Sequence, residues 1–276
     1  MKKLGKSNST TRMLLGPYSV WAAIFIIVPM LMVLYFAFTN EDTGEFTFEN
    51  ISMLTDYADT FLISIIYSVV ATAVCLIIAY PLAYIMSKMH GRVKSMMYLL
   101  VMLPMWMNLL IRTYSWTTIL EQNGIINRFL GLFGIGPVKM MGTPGAIVLG
   151  MVYDFLPYMI LPIFTVLSKL DKSLLEAAED LGSNAFIRFK RVILPLSLPG
   201  IISGITMVFV PSVSTFYISQ VMSNRTIMLI GDVIDRQIQE GHHYNLGAAL
   251  SLVLMVFILI SMFIMNRFDK DNEIIV

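Results

Sequence analysis

Apolar runs long enough to cross a lipid bilayer recur along this chain, and nothing else in it restricts the fold so strongly. A helix rising about 1.5 Å per residue needs about 20 residues to cross a hydrocarbon layer about 30 Å thick. Within that layer only helices and closed barrels satisfy their own backbone groups. Runs of this kind lie at about 14–38, 61–87, 96–120, 145–167, 196–222 and 246–265. The composition agrees, with 57% of the 276 residues hydrophobic and 13% charged, outside the usual range of a soluble domain. The expected fold is an all-α integral membrane protein of six transmembrane helices, forming one domain over 1–276. The first run exceeds the roughly 7–15 residues of a cleaved signal core and has no small-x-small site after it, so it is expected to be retained. Pro81 is expected to interrupt the second run. Pro104, Pro157, Pro162, Pro199 and Pro211 each remove a helix hydrogen bond and shape the others.

Charge sets the expected orientation. The first twelve residues carry four Lys or Arg, the turn at Lys88, Arg92 and Lys94 three, the segment 168–195 five and the C-terminal tail two, which is 14 of 19 on one side. By the positive-inside rule both termini and the segment 168–195 face the cytoplasm. The acidic loop with Glu41, Asp42, Glu45, Glu49, Asp56 and Asp59 then faces outward.

The segment 168–195, SKLDKSLLEAAEDLGSNAFIRFKRVILP, is the longest polar interruption with helical character. Ser173 followed by Glu176 is the spacing of a capping box, so a helix is expected from Leu174. Leu174, Leu175, Ala178 and Leu181 share one face of it, with Glu176, Glu179 and Asp180 off that face. Gly182 is expected to end it in a left-handed conformation. Ser183 or Asn184 then caps a second stretch with Phe186, Phe189 and Ile193 on one side, which Pro195 interrupts. A helix this short is marginal in water unless something packs on it.

These residues also carry a resemblance. Glu176, Ala177 and Ala178, then Gly182, then Val192, Leu194 and Pro195 resemble the EAA loop of ABC importer permeases, whose pattern is EAA, three residues, Gly, nine residues, Ile, one residue, Leu-Pro; Val192 stands in the Ile position. The resemblance implies a type I importer permease fold in which Leu174, Leu175, Glu176, Ala177, Ala178, Leu181 and Gly182 form a coupling helix held by an ATP-hydrolysing subunit. Further stretches resemble the permease of spermidine/putrescine uptake systems: 103–114 (LPMWMNLLIRTY), 123–127 (NGIIN), Thr143-Pro144, 229–231 (LIG) and 247–249 (GAA). That resemblance implies a polyamine cargo, a second permease subunit, two ATP-binding cassette subunits with ATP and magnesium, an extracytoplasmic solute-binding protein and a location in the cell membrane. The loop itself does not discriminate cargo, so ferric iron, an anion or another small solute stays open. An ion-coupled secondary transporter would need charged or broken helices at the midplane in paired halves.

A path for a flexible polycation is expected to offer carboxylates and aromatic faces. Asp154 is the one acid deep in a run, and an intramembrane carboxylate marks a candidate site or a paired structural acid. Tyr153 flanks it, and Trp106, Tyr114, Phe216 and Tyr217 are further candidates. Arg112 is expected near the outer interface with its side chain snorkelling, or else neutralising Asp154 or docking the binding protein. No GxxxxGK[ST] loop is present, so ATP is expected on a partner and not on this chain. The single Cys75 and the adjacent His242 and His243 do not have metal-ligand spacing, so no metal site, no catalytic residue and no nucleic-acid partner is expected.

Overall fold

The computed structural model of the chain describes residues 9–41, 43–241 and 243–272. The basic stretch before Ser9, His242 of the histidine pair and the last four residues lie outside them. Among the described residues every regular element is helical. They group into two compact units, one of residues up to Asp56 with Ile234–Met255, the other of Tyr57–Val233 with Val256 onward.

The first unit opens with α1 (Ser9–Ala22), a π-helical turn (Ala23–Ile27) and α2 (Val28–Ala37), which together form the first span. Most of its described side chains are exposed, as lipid-facing apolar residues are in the bare chain. A short α3 (Glu49–Ser52) and a 3₁₀ turn (Met53–Tyr57) follow the acidic loop. Asn50 Nδ2 donates to the Thr39 carbonyl at 2.9 Å, and Asn245 Nδ2 donates to the same oxygen. The Thr39 carbonyl, just after the first span, thus holds both α3 and the segment at Asn245.

In the second unit α4 (Ala58–Lys88) runs through Pro81 without a break, contrary to expectation. One lost bond does not stop a membrane helix whose remaining backbone groups have no other partner to turn to. The third run departs further. It is divided into α5 (Gly91–Trp106) and α6 (Leu109–Leu120), with the axis bent by 94° between α5 and the helical stretch from Leu109. Met107 N–H closes α5 on the Pro104 carbonyl at 3.2 Å, and Asn108 caps α6 by accepting the Leu110 N–H at 2.8 Å. A short α7 (Ile125–Gly131) follows before the fourth span.

The fourth span is α8 (Pro144–Ser168), started by Thr143 accepting the Ala146 N–H. After the polar helix α9 (Lys172–Asp180), the chain re-enters through α10 (Ala185–Arg188), a π-helical turn (Phe189–Ile193) and α11 (Leu194–Ser214). Pro195 does not end this helix. Leu194 N–H reaches back five residues to the Phe189 carbonyl, and the wider turn absorbs the donor that proline lacks. The helix ends at Ser214 instead. Thr215 is extended, Phe216 caps α12 (Tyr217–Met222), and these two aromatics therefore stand at a break, not along a continuous span. Two more helices, α13 (Ile230–Gln239) and α14 (Tyr244–Asn272), complete the chain. Five described helices have the length and apolarity of a span, and the bent α5–α6 pair would be a sixth.

The second unit is built around α8, against which α4 and α11 pack most extensively. Small side chains allow it. Ser64, Ser68, Thr72, Cys75, Ala79 and Ala83 recur every three or four residues on α4 and are buried, so the helix presents a groove narrow enough for Cys75 Sγ to come within 3.7 Å of the Val152 carbonyl. On α11, Gly200 and Gly204 repeat at the four-residue spacing that lets membrane helices touch backbone to backbone. A Cβ at Gly204 would stand 2.7 Å from Met159 Sδ and 3.2 Å from its carbonyl. Gly204→Leu should overpack this contact and cost about 1–3 kcal/mol, read as a lower melting temperature in detergent with unchanged membrane insertion.

Candidate functional site

The polar segment between α8 and α11 has its own folding signals. Asp171, and not Ser173, starts α9: its Oδ1 accepts the Ser173 N–H at 2.9 Å. Aspartate caps as well as serine and adds a negative charge at the helix N-terminus. Those bonds to Ser173 hold its carboxyl below the ordinary value of 3.8. At the other end Gly182 has φ +77°, donates to the Glu179 carbonyl at 2.8 Å, and is followed by Ser183 N–H donating to the Ala178 carbonyl at 3.1 Å. This pair of crossed bonds is the Schellman closure, and the left-handed residue at its centre is best supplied by glycine. Two residues on, Asn184 caps the next helix by accepting the Ile187 N–H at 2.8 Å. Arg188 Nη1 returns to Glu179 Oε2 at 2.6 Å, bracing the elbow from outside.

The elbow is seated on the bundle by aromatics. Phe189, in the π-helical turn, meets the rings of Tyr80 and Tyr84 edge-on at 5.7 and 6.1 Å. Tyr80 also shares a hydrogen bond of 2.9 Å with Ser197. The Tyr80 and Tyr84 pair at four-residue spacing was a signal that sequence reasoning passed over. Along α9 the expected apolar face divides. Leu175 packs against the core of the second unit and Ala178 is half-buried, whereas Leu174 is 48% and Leu181 89% exposed. Glu176 and Ala177 are exposed as well. One edge of the helix is thus fixed to the membrane bundle and the other offers leucines to solvent.

The deep acid is paired. Asp154 and Arg112 are 1% and 6% exposed, and Arg112 Nε stands 2.5 Å from Asp154 Oδ1. The N–H of Nε does not point along a hydrogen bond to that oxygen, so the coupling between them is mainly coulombic. Arg112 Nη1 donates to the Pro104 carbonyl at 2.6 Å, Thr113 Oγ1 donates to Asp154 Oδ2 at 3.3 Å, and the guanidinium lies 5.6 Å from the Tyr153 ring centre. Arg112 is therefore a buried counter-ion of Asp154, the alternative expected for it, and not a snorkelling side chain; the 94° bend separates α6 from α5, and α6 packs on α8. Among the aromatic candidates, Tyr114 meets Tyr217 edge-on at 6.0 Å and Tyr153 meets Trp116 at 5.2 Å. Trp106 is exposed at the end of α5, and Phe216 is exposed immediately before α12. Sequence reasoning also missed Asp232, which is buried and accepts the Leu229 N–H at 2.9 Å and the Ser219 hydroxyl; it falls outside the apolar runs, where a buried acid draws no notice.

Residues 76–273 match the family of binding-protein-dependent transport system inner membrane components. The chain belongs to this family. The segment with the EAA-like loop and the paired acid on α8 both fall within the matched residues of the inner membrane component. Among its relatives, the spermidine/putrescine transport system permease protein PotB of Haemophilus influenzae is 39% identical over 91% of both chains. The Escherichia coli protein of the same name is 36% identical over 86% of this chain and 89% of its own. The fold is that of ABC importer permeases: a chain of a bacterial ABC transporter involved in the import of the acidic polysaccharide alginate superposes with a TM-score of 0.76 over 95% of both chains at 17% identity. This inner membrane component is a transport subunit, not an enzyme.

Two consequences are measurable. Asp154→Asn should leave the Arg112 charge buried without its counter-ion and cost about 3–5 kcal/mol, whereas replacing both residues by leucine should restore most of that stability; resistance to unfolding in detergent reads both. Asp171 has a depressed pKa, so its cap is present above the ordinary carboxylate range and lost as pH falls through the lower folded value. Exchange protection of the Ser173 amide should hold at pH 5 and fail only below 3.8.

Proposed function

We propose that this chain is the permease subunit of an ATP-driven importer carrying polyamines of the spermidine and putrescine type into the cytoplasm by alternating access. The observation that supports the cargo is the likeness to the Haemophilus influenzae spermidine/putrescine permease over 91% of both chains. Its partners are a second permease subunit, two ATP-binding cassette subunits that hold ATP with magnesium, and an extracytoplasmic solute-binding protein. Both termini and α9 face the cytoplasm, a reading supported by 14 of the 19 Lys and Arg residues falling on that side.

In this reading Leu174, Leu175, Glu176, Ala177, Ala178, Leu181 and Gly182 form the coupling element. The exposed leucines seat in a cleft of the ATPase subunit, while Leu175 and Phe189 carry its displacement into α4, α8 and α11 as a rigid body. The cargo path uses Trp106, Tyr114, Tyr153, Asp154, Phe216 and Tyr217. Aromatic faces attract ammonium groups without binding them irreversibly, and an ammonium of the cargo competes with Arg112 for Asp154.

Gly182→Pro is incompatible with φ +77°, and Glu176→Lys reverses the charge on the docking face. Each should leave the protein inserted and lower polyamine uptake into cells by at least about fivefold, the small end of typical coupling energies. Uptake at the normal rate in both variants would remove the coupling role from α9.

A further inference from the structure

The end of α4, the end of α8 and the start of α9 enclose a cleft of about 320 Å³, within the range of roughly 300–1,000 Å³ typical of small-molecule sites. Its polar wall is Tyr84, Ser87, Lys88, His90 and Ser168, and its apolar floor is Leu167, Leu170, Leu175 and Ile193. Among the described residues no carboxylate lines it.

Two features point to an anionic ligand. Lys88 Nζ lies 4.2 Å from the centre of the Tyr84 ring, a contact that uses the ammonium's charge but supplies no acceptor for its three N–H donors. Among the described residues no carboxylate is within ion-pair distance of it. The second feature is Ser168 Oγ, which is buried and has no hydrogen-bond partner among the described residues. A buried hydroxyl in that state is costly, and an entering acceptor removes the cost. Two more cations lie close in the chain, Arg92, exposed in the first turn of α5, and Lys94, over the Phe164 ring at 5.2 Å, whereas the exposed Asp171 beside Leu170 is committed to the Ser173 amide.

Position selects the kind of anion. Lys88 and Ser168 are the last residues of two membrane-crossing helices, so the cleft opens where lipid headgroups stand. Its floor of leucines and isoleucine suits the glycerol and first acyl carbons of a lipid. A basic pocket between spans on the cytoplasmic side has the chemistry for an anionic headgroup. We propose that this cleft binds the phosphate of an anionic phospholipid, with Lys88 and Ser168 as its donors, and that occupancy stiffens the seat of the coupling helix through Leu175. The proposal rests on the reading of this end as cytoplasmic and of α9 as the coupling element.

The test uses the full chain in symmetric nanodiscs of phosphatidylcholine with phosphatidylglycerol, and native mass spectrometry to count retained phosphatidylglycerol. Wild type and Lys88→Arg should retain it, whereas Lys88→Gln should bind about tenfold more weakly, the loss of a charge-assisted hydrogen bond. Ser168→Ala should weaken binding in the same direction. Lys169→Gln, an exposed change outside the lining, should have no effect. Monodisperse elution of each variant establishes that it is folded. Displacement of the retained lipid by inorganic phosphate at millimolar concentration would support a site that reads the phosphate, whereas phosphate binding with no retained phosphatidylglycerol would overturn the lipid and assign the site to a soluble source. Equal retention by wild type, Lys88→Gln and Ser168→Ala, with no phosphate competition, would overturn it. Because the discs are symmetric and no transport is measured, a failure here is separate from a failure of the importer reading, which uptake measures.

Discussion

The close approach of α4, α8 and α11 is the constraint from which the rest of the second unit follows. Lipid tails are as apolar as leucine, so helices in a bilayer are held by contact quality and not by the exclusion of water. The buried small residues of α4 and the Gly200 and Gly204 pair of α11 provide that contact against Val152, Met159 and Ile163 of α8. Once the three are locked, their ends are fixed in space. Everything at the α9 elbow is referred to those ends.

The elbow is stiff for reasons that can be named. Asp171, Gly182 and Asn184 close its turns with hydrogen bonds, the Arg188–Glu179 pair braces it, and Phe189 is clasped by two tyrosines of α4. A flexible tether in the same place would absorb a push from outside. A braced helix with one edge seated and the other exposed transmits it. The buried Arg112–Asp154 pair has a related effect at the other broken span, because Arg112 also holds the Pro104 carbonyl and so ties α5, α6 and α8 at one point.

Much of this was legible in the sequence. Length and apolarity marked the helices, since the bilayer demands both, and the Glu176 to Pro195 spacing marked the elbow. The left-handed Gly182 followed from the amphipathic run before it. The breaks were not legible, because hydropathy does not change where a helix bends inside an apolar environment. Asn108 is a strong capping residue and Pro104 stands just before it, yet within LPMWMNLL they read as part of one long run. The same applies at Thr215, where helix α11 stops among apolar neighbours. Ser173 was mistaken for the cap because its spacing to Glu176 fits a capping box; the helix starts two residues earlier, where Asp171 accepts the Ser173 N–H that a capping box would leave to the Glu176 side chain. Pro81 was overrated as a breaker, since in lipid a helix that loses one bond has no solvent to turn to, whereas Pro195 does disturb the regular pattern, through the π-helical turn before it.

The central claim is that the exposed edge of α9 meets an ATP-hydrolysing partner on the cytoplasmic side. Cys75 is buried, so a cysteine at Leu181, 89% exposed, can be compared with one at Leu132, 80% exposed beyond α7. In intact cells a membrane-impermeant thiol reagent should label Leu132→Cys and spare Leu181→Cys, and a thiol crosslinker in membranes should join Leu181→Cys alone to the ATPase subunit. Labelling of Leu181→Cys from outside, with no crosslink to that subunit, would contradict the account.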